Sequence, residues 1–207
     1  MMRFNADMFR AAMMCVSSEE VRYYLKGVLV EPHPAGEGVL LVATNGHSML
    51  VVHDATGEAD QAGIVILSAE AQKSCKSGKF AQRLVTIDGN TAKVVEPEGD
   101  GFRTVAISEK CFIDGTFPDW RRVIPDVTQA TSAGMYAAGC LVTFAKIAGV
   151  LSDARKPTLR IASNDAGSPA LVQFGDVPHA FGVLMPVRGD MAFGLPTWLE
   201  ATKTKAA

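Results

Sequence analysis

One local pattern recurs three times along this chain and limits its fold more than any other feature. A strand-like run is followed by a short helix with one apolar stripe, then by three further strand-like runs. The period is roughly 60 to 65 residues, too long for a solenoid repeat. It suits a domain assembled from pseudo-symmetric halves, with helices on one face of antiparallel sheets, an α+β architecture.

In the first pass Met8, Phe9, Ala12, Met13 and Val16 fall at helical spacing, predicting a helix over Ala6 to Ser17 with Asn5 as its N-cap. Its methionines read as core filler. The runs "VRYYLKGVLVE", "GVLLVAT" and "HSMLVVHD" read as strands, the last two joined by Asn45-Gly46. An Asn-Gly pair between apolar runs is the strongest short-range hairpin signal, because both turn residues then take positive φ. The second pass has the strand "AGIVILS" and a short helix in "SAEAQKSCKSGKF", with Ser68 as N-cap and Gly78 near its end. A hairpin around Asp88-Gly89 and the strand "FRTVAISEK" complete it. The third pass begins near Gly134 with a short strand "GMYA" and a helix over Gly139 to Leu151. The strands "TLRIAS", "ALVQFG" and "FGVLMPVR" follow. Two stretches fall outside the pattern. "DGTFPDWRRVIPD" (Asp114 to Asp126), with two prolines and adjacent arginines, reads as a linker, and the tail after Arg188 lacks strand periodicity, its last residues expected to be disordered.

Composition removes several function classes. At 48% hydrophobic and 20% charged, the 207 residues suit a soluble globular chain able to fill a sizeable core. A formal charge of −2 argues against a strongly basic nucleic-acid surface, leaving local contact with phosphates open. Cys15, Cys75, Cys111 and Cys140 are 60, 36 and 29 positions apart, without the close pairs of a zinc site. They read as small buried residues in a reducing cytoplasm. The N-terminus lacks the apolar core of a signal peptide, and no run approaches a membrane span. His33, His47, His53 and His179, even beside carboxylates such as Asp54 and Asp176, show no metalloprotease spacing. No nucleophile motif or phosphate-binding glycine loop is present, so neither an enzyme nor a metal or cofactor is expected.

Four segments in order, "EEVRYYLKGVLVE", "LVATNGHSMLVV", "FIDGTFPDWRRVIP" and "VLMPVR", resemble the bacterial sliding clamp, the β subunit of DNA polymerase III. The resemblance covers roughly residues 5 to 188. It implies a DNA-clamp-like fold of repeated strand-helix-three-strand units. The family forms a closed ring around duplex DNA, tethers polymerases and repair proteins, and catalyses nothing. Clamp chains have three two-unit domains, and this one is much shorter. Residues 1–125 resemble one complete domain of two units, about 1–58 and 61–125. Residues 126–190 resemble half of another and 191–207 form a tail, as in a minimal or phage-type relative.

The resemblance further implies a pocket for the short clamp-binding peptides of partner proteins. Matched position by position, it would be lined by Leu25, Thr44, Gly46, His47 and Met49 from the hairpin side. Pro118, Arg122 and Val123 would come from the connector, and Val183, Met185, Pro186, Val187 and Arg188 from the last strand. His47 is then a rim residue rather than an acid or base. Ser48 departs from the family, which usually has a basic residue there. Apolar sockets suit leucine and phenylalanine anchors, each contributing about 1.5 to 3 kcal/mol on burial. Two anchors, less ordering costs, give micromolar binding. Candidates for sequence-independent contact with duplex DNA are Arg10, Lys73, Lys76, Lys79, Arg83 and Lys146, with Arg155 and Lys156 nearby in the third unit.

The third unit has no partner half, which leaves a sheet edge and a helix face to be covered and predicts a homo-oligomer, pairing third units about a two-fold axis. The tail carries Leu195, Trp198 and Leu199, spaced somewhat like a clamp-binding peptide. The leading functional expectation is a non-enzymatic, cytoplasmic clamp-like processivity factor with no membrane partner. The alternative is an adaptor or decoy that captures partner peptides without acting on DNA.

Overall fold

Asn5 closes strand β1 (Met2–Asn5) and caps helix α1 (Ala6–Ala12), its Oδ1 accepting from the Met8 amide at 3.0 Å. In the computed structural model, which describes residues 1–78, 81–127 and 134–189, this junction is tied to the first hairpin by a buried carboxylate. Asp54 accepts from the Asn5 amide at 2.7 Å and from the Thr56 amide and hydroxyl at 3.1 and 2.9 Å. The helix is shorter than its stripe predicts. After Ala12 it tightens into a 3-10 turn over Met13–Cys15, and Val16 is already extended, so that the Ser17 amide can bond the Leu25 carbonyl at 2.9 Å.

Strands β2 (Val28–Pro32), β3 (Val39–Thr44) and β4 (Ser48–Asp54) form the expected meander. The predicted strand in "VRYYLKGVLVE" begins late: Tyr23–Leu25 is a 3-10 turn, and only Val28 onward is extended. Short strands β5 (Glu58–Ala59) and β6 (Gly63–Val65) lead to helix α2 (Ala69–Ser74), capped by Ser68 as predicted. Strands β7 (Leu84–Asp88), β8 (Thr91–Glu98), β9 (Gly101–Glu109) and β10 (Phe112–Ile113) end the second unit. Helix α3 (Ala138–Leu151) and strands β11 (Leu159–Ala162), β12 (Ala170–Phe174) and β13 (Ala180–Leu184) make the third. The strand expected over 134–137 does not form; a single bond, from the Val187 amide to the Met135 carbonyl at 2.7 Å, joins it to its neighbour.

Both hairpin turns sit one residue later than the Asx-Gly pairs suggest. Asp88 pairs with Thr91, and Asn45 bonds Ser48, so the central residues are Gly89-Asn90 and Gly46-His47. Only the glycines take positive φ, +54° and +86°. In the first turn the asparagine serves better outside: its Oδ1 accepts from the His47 and Ser48 amides, both at 2.9 Å. Glycine at the first central position is the type II′ pattern, which needs positive φ there alone.

Among the described residues the strands form two sheets, β5-β1-β7-β8-β9 and β10-β6-β2-β3-β4-β13-β12-β11. The first two units exchange their opening strands: β1 pairs with β7 of the second, and β6 with β2 of the first. The third unit joins the first through an antiparallel ladder in which Gly182 faces Leu50 and Val183 faces Met49. Helices lie on one face, α1 packed on α3 and α2 against β8 and β9. Alternate residues of the long sheet, such as Val30, Leu41, Leu50 and Leu184, point to that helical side. Their neighbours Leu29, Val42, Met49, Val51 and Val183 point the other way, around Trp120. Cover on both faces explains why these strands are nearly continuous apolar runs.

Two expectations change here. The third unit's sheet edge and helix face are covered inside the chain, by β4 and α1, so among the described residues its remaining open edge is β11. The segment read as a linker is no free spacer, because Trp120 is 94% buried against the outer face of the sheet and 6% exposed.

Candidate functional site

The connector, the first hairpin and the end of β13 meet on the outer face of the long sheet. Connector residues Trp120–Val123 form a 3-10 turn whose tryptophan enters the apolar cluster. Arg121 lies over the Trp120 ring at 4.3 Å and reaches Glu31 on β2 at 2.6 Å, fixing the turn to the sheet. At the hairpin tip the Thr44 hydroxyl donates to the Ser48 carbonyl at 2.9 Å and accepts from the Gly46 amide at 3.1 Å. The Arg22 guanidinium crosses over Gly46, where a Cβ would meet its Nη1 at 2.8 Å. β13 ends at Leu184, but the Met185 amide still bonds the His47 carbonyl at 2.9 Å. This last contact seals hairpin to strand.

Between them lies a groove of about 450 Å³. Leu25, Thr44, Gly46, Met49, Pro118, Val123, Val183 and Met185 line it, all named from the sequence. Pro186, Val187 and Arg188 line an adjoining hollow of about 400 Å³ that shares Met185 with the groove. His47 and Arg122 are exposed and line neither. His47 contributes its carbonyl, not its imidazole. Sequence reasoning missed Arg22, Tyr24, Asp119 and Trp120, and noted Ser48 only as a departure from the family. For Trp120 the signal was available: a large aromatic between two prolines is too apolar for a free linker. Ser48 turns inward, its hydroxyl 3.3 Å from Asn45 Oδ1 and 3.9 Å from Cys15 Sγ. The wall it leaves is small and uncharged. Arg22, held by Glu19 at 3.2 Å, and Asp119 put one charge of each sign among the lining residues, around an apolar floor.

The groove offers a largely apolar surface with few charged groups among its lining residues. Cys15, beneath the hairpin, is pushed up to about 12 by burial, so its thiol stays protonated. Asp54 is spent on backbone amides, and His53 on the Glu37 carbonyl at 3.0 Å. Among the described residues no group of His, Cys, Asp and Glu could hold a metal, and no helix is long and apolar enough to cross a membrane.

The cationic candidates divide. Arg10 pairs with Asp7 at 3.0 Å. Arg83 is a structural clasp: it binds Glu96 at 2.8 Å and donates to the carbonyls of Ser74 and Lys76 at 2.8 and 3.0 Å. Lys73, Lys76, Lys146, Arg155 and Lys156 are exposed. Lys79 lies outside the described residues, as do Leu195, Trp198 and Leu199.

No family model matches the chain. The beta sliding clamp of Escherichia coli strain K12 is 26% identical over 199 residues, 91% of this chain and 51% of the relative. That of Caulobacter vibrioides strain NA1000 is 35% identical over 117 residues, 53% of this chain and 29% of the relative. The chain thus spans about half the length, or less, of these curated relatives. Among solved structures, the sliding clamp of Bartonella birtlesii bound to griselimycin superposes with a TM-score of 0.64 at 20% identity. The match covers 90% of this chain and 66% of that one. The Caulobacter crescentus pol III beta structure gives 0.61 at 19% identity, over 91% and 65%. At such identities the likeness is one of fold, and the fold is that of a DNA clamp.

Proposed function

We propose, for a chain that is a relative of the bacterial sliding clamps, that it is a non-enzymatic clamp-like processivity factor of the cytoplasm. It holds the clamp-binding peptides of replication or repair proteins in the groove between hairpin, connector and β13, and it contacts or encircles duplex DNA. The observation that carries this reading is the convergence of three segments, distant in sequence, on one apolar groove. Its exposed rim residues Val123 and Met185 are where incoming leucine or phenylalanine side chains lose water first. The exposed lysines on and just after α2 and on α3 supply loose phosphate contacts compatible with sliding. Copies of the chain associate through the β11 edge, which pairs only with β12 among the described residues.

Titration with griselimycin, and with a synthetic peptide carrying adjacent Leu and Phe anchors, tests the groove. Micromolar binding is expected, weakened at least tenfold by Val123→Asp with Met185→Asp, two positions exposed on the groove rim. Absence of binding by either ligand overturns the reading. Retention on nicked circular DNA at low salt tests the second half, with Lys73→Ala, Lys76→Ala and Lys146→Ala expected to lower it equally on all sequences. Peptide affinity without any DNA retention would leave an adaptor.

A further inference from the structure

The groove does not end at Trp120. On the other side of that indole lies a larger cavity of about 680 Å³, and the two share Pro118, Asp119 and Trp120 as a common wall. Its floor is apolar, with Ile64 buried and Phe117 packed against the same cluster as Trp120. Its rim is acidic, formed by Glu31, Asp114 and Asp119. Glu31 is neutralised by Arg121. Asp114 and Asp119 are exposed and have no ion pair among the described residues, so two uncompensated carboxylates edge the cavity. The Trp120 indole nitrogen is buried without a hydrogen-bond acceptor among the described residues.

The geometry points to this cavity as a second subsite for the same partner segment: the bound peptide runs past its apolar anchors, over Trp120, and places a lysine or arginine between Asp114 and Asp119. The inference rests on the peptide-groove reading above and adds a charge requirement to it. An acidic rim beside an apolar floor fits a long basic side chain, whose methylenes cover the floor while its charged head stays at the edge. Acidic extensions meet like charge instead, so the cavity also sorts partners.

The test uses the full chain and three synthetic peptides: the Leu-Phe anchor alone, the anchor extended by Lys-Arg, and the anchor extended by Glu-Glu, each extension made at either end. Fluorescence anisotropy at low salt should show the Lys-Arg extension at one end binding about three- to tenfold tighter than the anchor alone. Salt should erode that gain. Asp114→Lys, at an exposed position outside the anchor groove, should abolish it and transfer it to the Glu-Glu peptide while leaving the anchor peptide's affinity as it was. No gain at either end, or a gain that survives Asp114→Lys, overturns the subsite while the anchor peptide still binds. Failure of the anchor peptide itself overturns the groove reading, and the subsite with it.

Discussion

Trp120 and Cys15 face the site from opposite sides of one sheet, and each shows how a single side chain constrains what the site can be. Trp120 converts a proline-rich connector into a wall: one buried indole, clamped by Arg121 and Glu31, separates two cavities. Cys15 does the opposite, removing reactivity. Burial pushes its thiol up to about 12, with the Ser48 hydroxyl opposing; Cys75 is pushed to about 12 by burial, with Asp7 adding to it. An unfolded thiol ionises near 8.5, so the folded state holds these protons more tightly than the unfolded one. Their contribution to stability is complete below about pH 8.5 and is lost as pH rises toward about 12. Urea midpoints measured from pH 8 to 11 should fall more steeply for the wild type than for Cys15→Ala. Neither thiol should react with an aromatic disulfide at pH 8 until the chain unfolds.

Gly182 of β13 lies directly against the Phe144 ring of α3. A Cβ at Gly182 would overlap the Phe144 ring, so the close approach of helix to sheet depends on glycine. Gly182→Ala should cost about 1 to 3 kcal/mol in denaturant unfolding, the usual price of overpacking, and should loosen the β4–β13 ladder that closes the groove. In the other sheet, Glu96 sits between Arg83 and Arg103, hydrogen bonds from which hold its carboxyl below the usual carboxylate range. A depressed carboxylate stabilises above its unfolded pKa and ceases to as pH falls through its folded one. The stability gap between wild type and Glu96→Gln should therefore be full at neutral pH and close below the carboxylate range, as thermal melts in acid would show. These elements also mark how far the sequence could be read. Period-2 and helical spacing located most strands and all three helices, because each has at least one face that must be apolar. What spacing could not disclose was pairing. The exchange of β1 and β6 between units, and the ladder joining β13 to β4, depend on contacts between residues far apart in the chain. Eight groove residues were named through their likeness to a known pattern of motifs; Asp119 and Trp120 enter because the connector folds back on the sheet, and Arg22 and Tyr24 come from the turn that precedes β2.

Assembly depends on which edges the chain leaves open. Counting units predicts an uncovered third unit, yet β4 and α1 cover one side of it, so the need for a second copy narrows to one strand. Among the described residues the long sheet ends at β11, which pairs only with β12 and exposes Ile161 at 38%; the other sheet ends at β9, with Phe102 and Ile107 exposed. Unpaired amides beside exposed apolar side chains invite a further strand. Two β11 edges can meet antiparallel about a two-fold axis, which continues the eight-stranded sheet from one copy into the next and fits the expected pairing of third units. Light scattering coupled to size exclusion should then give a multiple of the 22.0 kDa chain mass that rises with concentration. Ile161→Lys, which places a charge on the open edge without touching the groove, should return the 22.0 kDa species and leave peptide affinity unchanged. If association survives that substitution but is lost in Phe102→Lys with Ile107→Lys, the copies join through β9 instead. A mass fixed at 22.0 kDa at every concentration removes self-association altogether, and with it any closed ring around DNA made from this chain alone.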